Sequence, residues 1–220
     1  GRMNGACLRS AFADVEVYSA LDVGCGTGSF TRTLSDLLGK VEQIVGIDPD
    51  KESLDEARTL TDDPRITYRL FSGYSMPYES GRFDLAAISN ALHHVPDPGK
   101  LLAAMLHVVA KGGWIVVQEL VSDDLSRAEE NGRDLHHFKS QIDRLCGPAH
   151  NPTFTRAEVR SLVDRSGAVV DLECEVTDEP DDAGQAERVR HAHIFLPEYL
   201  EHARDTLAFE DMRREAARLA

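Results

Sequence analysis

Residues 19 to 30, SALDVGCGTGSF, decide the fold of this chain. Tyr18, Ala20, Leu21 and Val23 make a short apolar run that stops at glycines. Phe30, Leu34, Leu37 and Leu38 then recur at helical spacing as far as Gly39. That pattern predicts a strand, a tight glycine turn and a helix. Gly24, Gly26 and Gly28 remove the β-carbons where backbone has to approach a ligand, and the helix that follows points its N–H groups and positive dipole end into the gap. A nucleotide-like cofactor is the expected occupant.

Spacing narrows the choice of cofactor. The dinucleotide fingerprint is G-x-G-x-x-G, and counted from Gly24 its third glycine falls on Ser29, so a nicotinamide-dependent oxidoreductase is a remote alternative. What stands here is D-x-G-x-G-x-G, with Asp22 two residues before the first glycine. A carboxylate at that point repels a pyrophosphate and suits a cationic group such as the α-amino group of a methionine moiety. The stretch resembles motif I of the class I S-adenosylmethionine-dependent methyltransferases. A second acid follows in VEQIVGIDPD, which reads as strand two ending in Asp48, 20 residues after Gly28, where an acid accepts from ribose hydroxyls. Pro49 opens the next helix.

Further along, RITYRLF reads as strand three, and Ser72 and Gly73 stand where relatives carry an acid and a small residue at the adenine edge. Phe83 to Ile88 form a near-continuous apolar strand, as in a parallel sheet covered on both faces, and SNALHHV lies at its carboxyl end, where ligands bind. The helix DPGKLLAAMLHVVAKGG is expected to stop at Gly112, before WIVVQEL as strand five. The run from Phe83 to Leu120 resembles motifs II and III of the small-molecule, type-11-like branch of that family.

The resemblance implies a doubly wound, Rossmann-like α/β domain with strand order 3-2-1-4-5-7-6. It implies transfer of a methyl group from S-adenosylmethionine to a small molecule, leaving S-adenosylhomocysteine. Asp22, Gly24, Cys25, Gly26, Gly28, Asp48, Pro49, Ser72, Gly73 and Asn90 are then the expected cofactor contacts. In the phosphoethanolamine methyltransferases, which the HHV segment resembles, the histidine matching His94 is a general base, so His94 is the candidate catalytic residue, with a pKa near neutrality. A non-catalytic or regulatory cofactor-binding protein and a protein methyltransferase are the other readings.

Residues 121 to 155 exceed a connecting loop. Within them Leu135, Phe138, Ile142 and Leu145 repeat at helical spacing, which predicts an amphipathic lid helix closed by Gly147 and Pro148. His137, Phe138 and Tyr74 are the candidate substrate-facing residues. TRAEVRSLVDRSG predicts a helix capped by Thr155, AVVDLECEV a sixth strand, and HAHIFL a seventh. The segment before strand one leaves little room for covering helices.

The 220 residues suit one domain. Thirty-eight acids against 24 Lys and Arg give a net charge of -14, which disfavours nucleic acid and anionic membrane as partners. Cys7, Cys25, Cys146 and Cys174 are widely spaced with no C-x-x-C, so four reduced thiols in a cytoplasm are expected. Nine histidines without H-x-x-x-H or a comparable carboxylate grouping predict no metal site.

Overall fold

A computed structural model describes residues 6–13, 15–147, 149–174, 196–197, 200–206 and 208–219. Five strands form one sheet in the order β3-β2-β1-β4-β5, with β1 Ser19–Val23, β2 Gln43–Asp48, β3 Ile66–Leu70, β4 Phe83–Ser89 and β5 Val109–Gln118. Every neighbouring pair is parallel, and β1 lies between β2 and β4 with Asp22 opposite Gly46 and Ala87. This is the expected α/β doubly wound arrangement with its chain reversal beside β1.

The two sheet faces are sorted by strand alternation. Ala20, Ile44, Leu85 and Ala87 pack under α1 (Ala6–Phe12), α2 (Ser29–Leu37) and α3 (Lys51–Thr59), through Phe12, Phe30, Leu34, Leu54 and Ala57. Their neighbours Leu21, Val23, Val45, Ile47, Ala86 and Ile88 face α4 (Pro98–Val108), through Leu101, Leu102 and Met105. Burial on both faces explains the unbroken apolar run of β4.

A third, separate core lies away from the sheet. Phe138 and Ile142 of α5 (Arg127–Cys146) are enclosed with Leu196, Ala203 and Ala216, the last on α7 (Phe209–Leu219). Helix α5 starts with a capping box, Ser126 and Glu129 satisfying each other's backbone N–H groups. Leu145, expected on the same face, is 45% exposed, because the buried stripe ends at Ile142. Helix α6 (Arg156–Ser166) has the expected Thr155 cap and Gly167 stop.

Several expectations are corrected. Helix α4 ends at Val108, and Gly112 (φ 81) sits inside β5 at a register shift between Phe83 and Leu85; the positive φ that suggested a helix stop serves a bulge. Pro49 precedes the N-cap Asp50, whose side chain accepts from the Glu52 and Ser53 N–H groups. Residues 168–174, the described part of the expected sixth strand, form no strand, and Val169 is 91% exposed, so its apolar alternation meets no sheet face. The rest of that strand lies outside the described residues, as does all of the expected seventh strand except Leu196, which is in a helical turn. Cys25 and Cys146 are free thiols, but Cys174 is in a disulfide; a single crosslink leaves no local motif to read.

Candidate active site

The turn after β1 is built as a cradle. Gly24, Gly26 and Gly28 all have positive φ, at 70°, 50° and 78°. Their reasons differ. A Cβ on Gly24 would lie 2.8 Å from Ala91 Cβ, and one on Gly28 would run into the Tyr68 hydroxyl. A Cβ on Gly26 would meet no protein atom within 4 Å, so this glycine is the one whose missing side chain leaves approach room for a ligand. Gly28 is the N-cap of α2 and supplies no side-chain cap, which leaves first-turn N–H groups available to an anionic or polar ligand.

Two carboxylates flank the turn. Asp22 is 1% exposed and accepts from Thr31 Oγ1 at 2.6 Å. Burial pushes its pKa up to about 7, against the Thr31 hydrogen bond and with help from the Asp48 charge. Asp48 braces the turn, Oδ2 accepting from the Gly26 N–H and Oδ1 from the Asp50 N–H, both at 2.9 Å. One further lone pair on each oxygen remains for hydroxyl donors. The dipolar cradle, the open face at Gly26 and these two acids fit S-adenosylmethionine.

The other expected cofactor residues are placed as follows. Cys25 is buried, and burial pushes its thiol pKa up, so it is packing rather than a nucleophile. Pro49 is exposed beside Asp48. Gly73 is glycine because a Cβ there would press on Leu101 and Val23, and Ser72 Oγ accepts from the Tyr74 N–H at 3.3 Å. Asn90 (φ 49) donates its N–H to Gln118 O, and the next residue, Ala91, backs onto Gly24. Two grooves flank β3, but neither contains a cradle residue.

Beyond Ala91 the short 3-10 turn Leu92–His94 leads into a cluster of histidines. His93 is 1% exposed, and its Nδ1 lies 2.8 Å from Glu119 Oε1 at the end of β5. Its Nε2 is buried with no hydrogen-bond partner among the described residues. His136 of α5 stands edge-on to His93 with ring centroids 4.8 Å apart. His136 Nε2 is 3.1 Å from His150 Nε2, and His150 Nδ1 is 2.6 Å from Asp143 Oδ2. Lys139 also pairs with Asp143. The His94 ring lies 4.2 Å from that of His93 and 4.1 Å from that of His150. Asn151 ties the segment down, its N–H on His93 O and its side chain on Val95 O.

This environment overturns the expectation of a near-neutral His94. Burial, then His93, His150 and His136, push its pKa down to about 3. The three candidate substrate residues are also placed by their contacts. His137 Nε2 accepts from the Thr153 N–H at 3.1 Å, stapling α5 to the loop before α6. Phe138 is enclosed by the third core, which turns it away from the cradle. The Tyr74 hydroxyl accepts from the Asp97 N–H at 2.8 Å and holds the start of α4. His136 and His150 could be read in sequence only as polar residues on or next to the lid, one of which could reach a substrate; Glu119, Asp143 and Asn151 were missed, and of these only Glu119 had a readable sign, as an acid at the carboxyl end of a parallel strand.

Residues 21–117 match the family described as the methyltransferase domain. The chain is 36% identical over 104 residues to a demethylmenaquinone methyltransferase of Oceanobacillus iheyensis, covering 46% of this chain and 44% of that protein. It is 25% identical over 164 residues to the chloroplastic tocopherol O-methyltransferase of Arabidopsis thaliana, covering 72% and 46%. The chain thus spans less than half the length of these two relatives. In fold it is similar to the YcgJ protein of Bacillus subtilis, with a TM-score of 0.61 at 18% identity over 90% of this chain and 82% of that one. The glycine turn, the acid on either side of it and the parallel sheet are built largely from residues 21–117, and it is this stretch that the match identifies as a methyltransferase domain, with the fold seen in S-adenosylmethionine-dependent methyltransferases.

Proposed function

We propose that this protein transfers a methyl group from S-adenosylmethionine to a small-molecule acceptor. The observation that carries the reading is Gly26, a positive-φ glycine whose outer side meets no protein atom, set between the Asp22 and Asp48 carboxylates. Relatives named for quinone and tocopherol methylation support a small molecule over a macromolecule. The cofactor supplies an electrophilic methyl on a sulfonium. The protein then has to align acceptor and methyl and exclude water.

The residues divide that work. Asp22 faces the ammonium end of the cofactor, Asp48 its ribose, and the uncapped start of α2 its polar groups. Helix α5 and the loop 149–155 act as the lid over the acceptor side. His94, held neutral, accepts a hydrogen bond from the acceptor; a group with so low a pKa is a weak general base at neutral pH. Calorimetry with S-adenosylhomocysteine and with NAD is the deciding experiment, followed by a scan of small hydroxylated and quinoid acceptors for product formation. Tight binding of S-adenosylhomocysteine and none of NAD is expected, and the reverse order overturns the proposal.

A further inference from the structure

We infer that His93, His136 and His150 form a binding site for one divalent transition-metal ion, zinc(II) by its ligand chemistry, beside the cofactor cradle. Among the described residues this is the one group of three metal-ligating side chains brought together, with ligand atoms within 4.8 Å of one another. Burial gives the group its meaning. The side chains of His93 and its partner Glu119 are each 1% exposed, and His150 is 2% exposed.

The hydrogen bonds point the nitrogens inward. Glu119 engages His93 Nδ1 and also takes the His93 and Leu120 N–H groups, so the carboxylate is fixed from three directions. Asp143 does the same for His150 Nδ1. A carboxylate on the remote nitrogen fixes the ring and its tautomer and leaves Nε2 as a lone pair, which is how metal-binding histidines are oriented. The buried, unpartnered Nε2 of His93 is that lone pair, and a polar atom left so in an interior is costly without a ligand. His136 and His150 face each other at 3.1 Å through Nε2; metal binding needs the proton they share to move to His136 Nδ1. A tetrahedral zinc with bonds near 2.0–2.1 Å sets its nitrogens about 3.3 Å apart, so one pair is close to that spacing and small ring rotations bring in the third. Charge also fits. Glu119 and Asp143 contribute two negative charges and Lys139 one positive, a net of -1 around the cation.

Three neutral imidazoles with a fourth position open is the pattern of a zinc that binds an exchangeable oxygen. On the methyl-transfer proposal above, that oxygen belongs to the acceptor. Its proton leaves to solvent when it binds, and methyl transfer forms the oxygen–carbon bond while the carbon–sulfur bond breaks.

The site is tested by binding, apart from turnover. Tag-free protein stripped with a chelator is titrated with zinc against a chromophoric competitor, and with cobalt(II) for the visible bands of a tetrahedral site. One equivalent of zinc is expected. His136→Ala and His150→Ala each lower its affinity by at least about a hundredfold, and Glu119→Gln by about ten- to a hundredfold. Circular dichroism identifies any variant that fails to fold, and His136, on a half-exposed helix face, is the variant that keeps the test decisive. Wild-type protein that binds no stoichiometric zinc, or folded variants that bind it as wild type does, overturn the site. S-adenosylhomocysteine calorimetry on the same samples separates the two proposals: zinc bound without S-adenosylhomocysteine overturns methyl transfer alone, and the converse overturns the metal site alone.

Discussion

At the scale of single residues, the three glycines of the turn make different predictions although they look alike in sequence. Gly28→Ala drives a methyl group into Tyr68 and strains a positive φ, so it lowers stability; Gly26→Ala meets only the φ penalty of about 1–3 kcal/mol and leaves a folded protein with weakened cofactor binding. Thermal melts beside S-adenosylhomocysteine calorimetry distinguish them. Asp48→Ala weakens binding by about 1.5–3 kcal/mol for each charge-assisted hydrogen bond lost. It also lowers the melting temperature, because the Gly26 N–H loses its acceptor. An unchanged affinity removes Asp48 from the cofactor site. Asp22 gives a pH dependence. Its folded pKa, raised to about 7, means the free protein holds a proton that the unfolded chain releases near 3.8, so the stability from neutral Asp22 is full below that value and is lost as pH rises through about 7. A bound ammonium favours the ionised form, so affinity for S-adenosylhomocysteine rises with pH over that same range, with Asp48, Thr31 and Cys25 as the neighbouring groups that tune it. Asp22→Asn flattens both curves; a slope that survives the substitution assigns it elsewhere. Residues 93, 136 and 150 could not be assembled by reading the chain, because they lie 43 and 14 positions apart and meet only through the lid.

At the scale of elements, the alternation of strands and helices up to β5 was legible because β1, β2 and β4 are buried on both faces and α2, α3 and α4 on one, and both habits leave a readable apolar pattern. What failed were signals with two meanings. Gly112 supplies a positive φ to a bulge as well as it would to a helix end. The stripe on α5 was read as one face, Leu135 to Leu145, closing over the site; Leu145 is exposed, and what encloses Phe138 and Ile142 is Leu196, Ala203 and Ala216, the last on α7. Phe138→Ala therefore costs about 3–5 kcal/mol locally. Hydrogen exchange should show α5 and α7 amides opening faster in this variant while β1 and β4 keep their protection. If the sheet loses protection equally, the third core is not an independent unit. In wild type, S-adenosylhomocysteine is expected to slow exchange in residues 130–146, where a fixed outer helix would show no change.

At the scale of the whole molecule, the net charge of -14 predicts no shift of duplex DNA in a gel at physiological salt, with binding there counting against a small-molecule role. The order of the five strands came with the family resemblance carried by the glycine turn and the motifs after it, and β3-β2-β1-β4-β5 agrees with it. The sheet edge beyond β5 was not, since the apolar residues of 168–174 resemble a strand without forming one. The packing of α5 against α7 in a core of its own has a consequence for how such a protein changes over time. On the proposed function, in which α5 roofs the acceptor, substitutions there reshape that roof and leave the two cores packed on the sheet unchanged. A lineage can therefore exchange one acceptor for another by remodelling the roof alone, and a laboratory can attempt the same by grafting residues 121–155 together with the C-terminal helix as a single cassette.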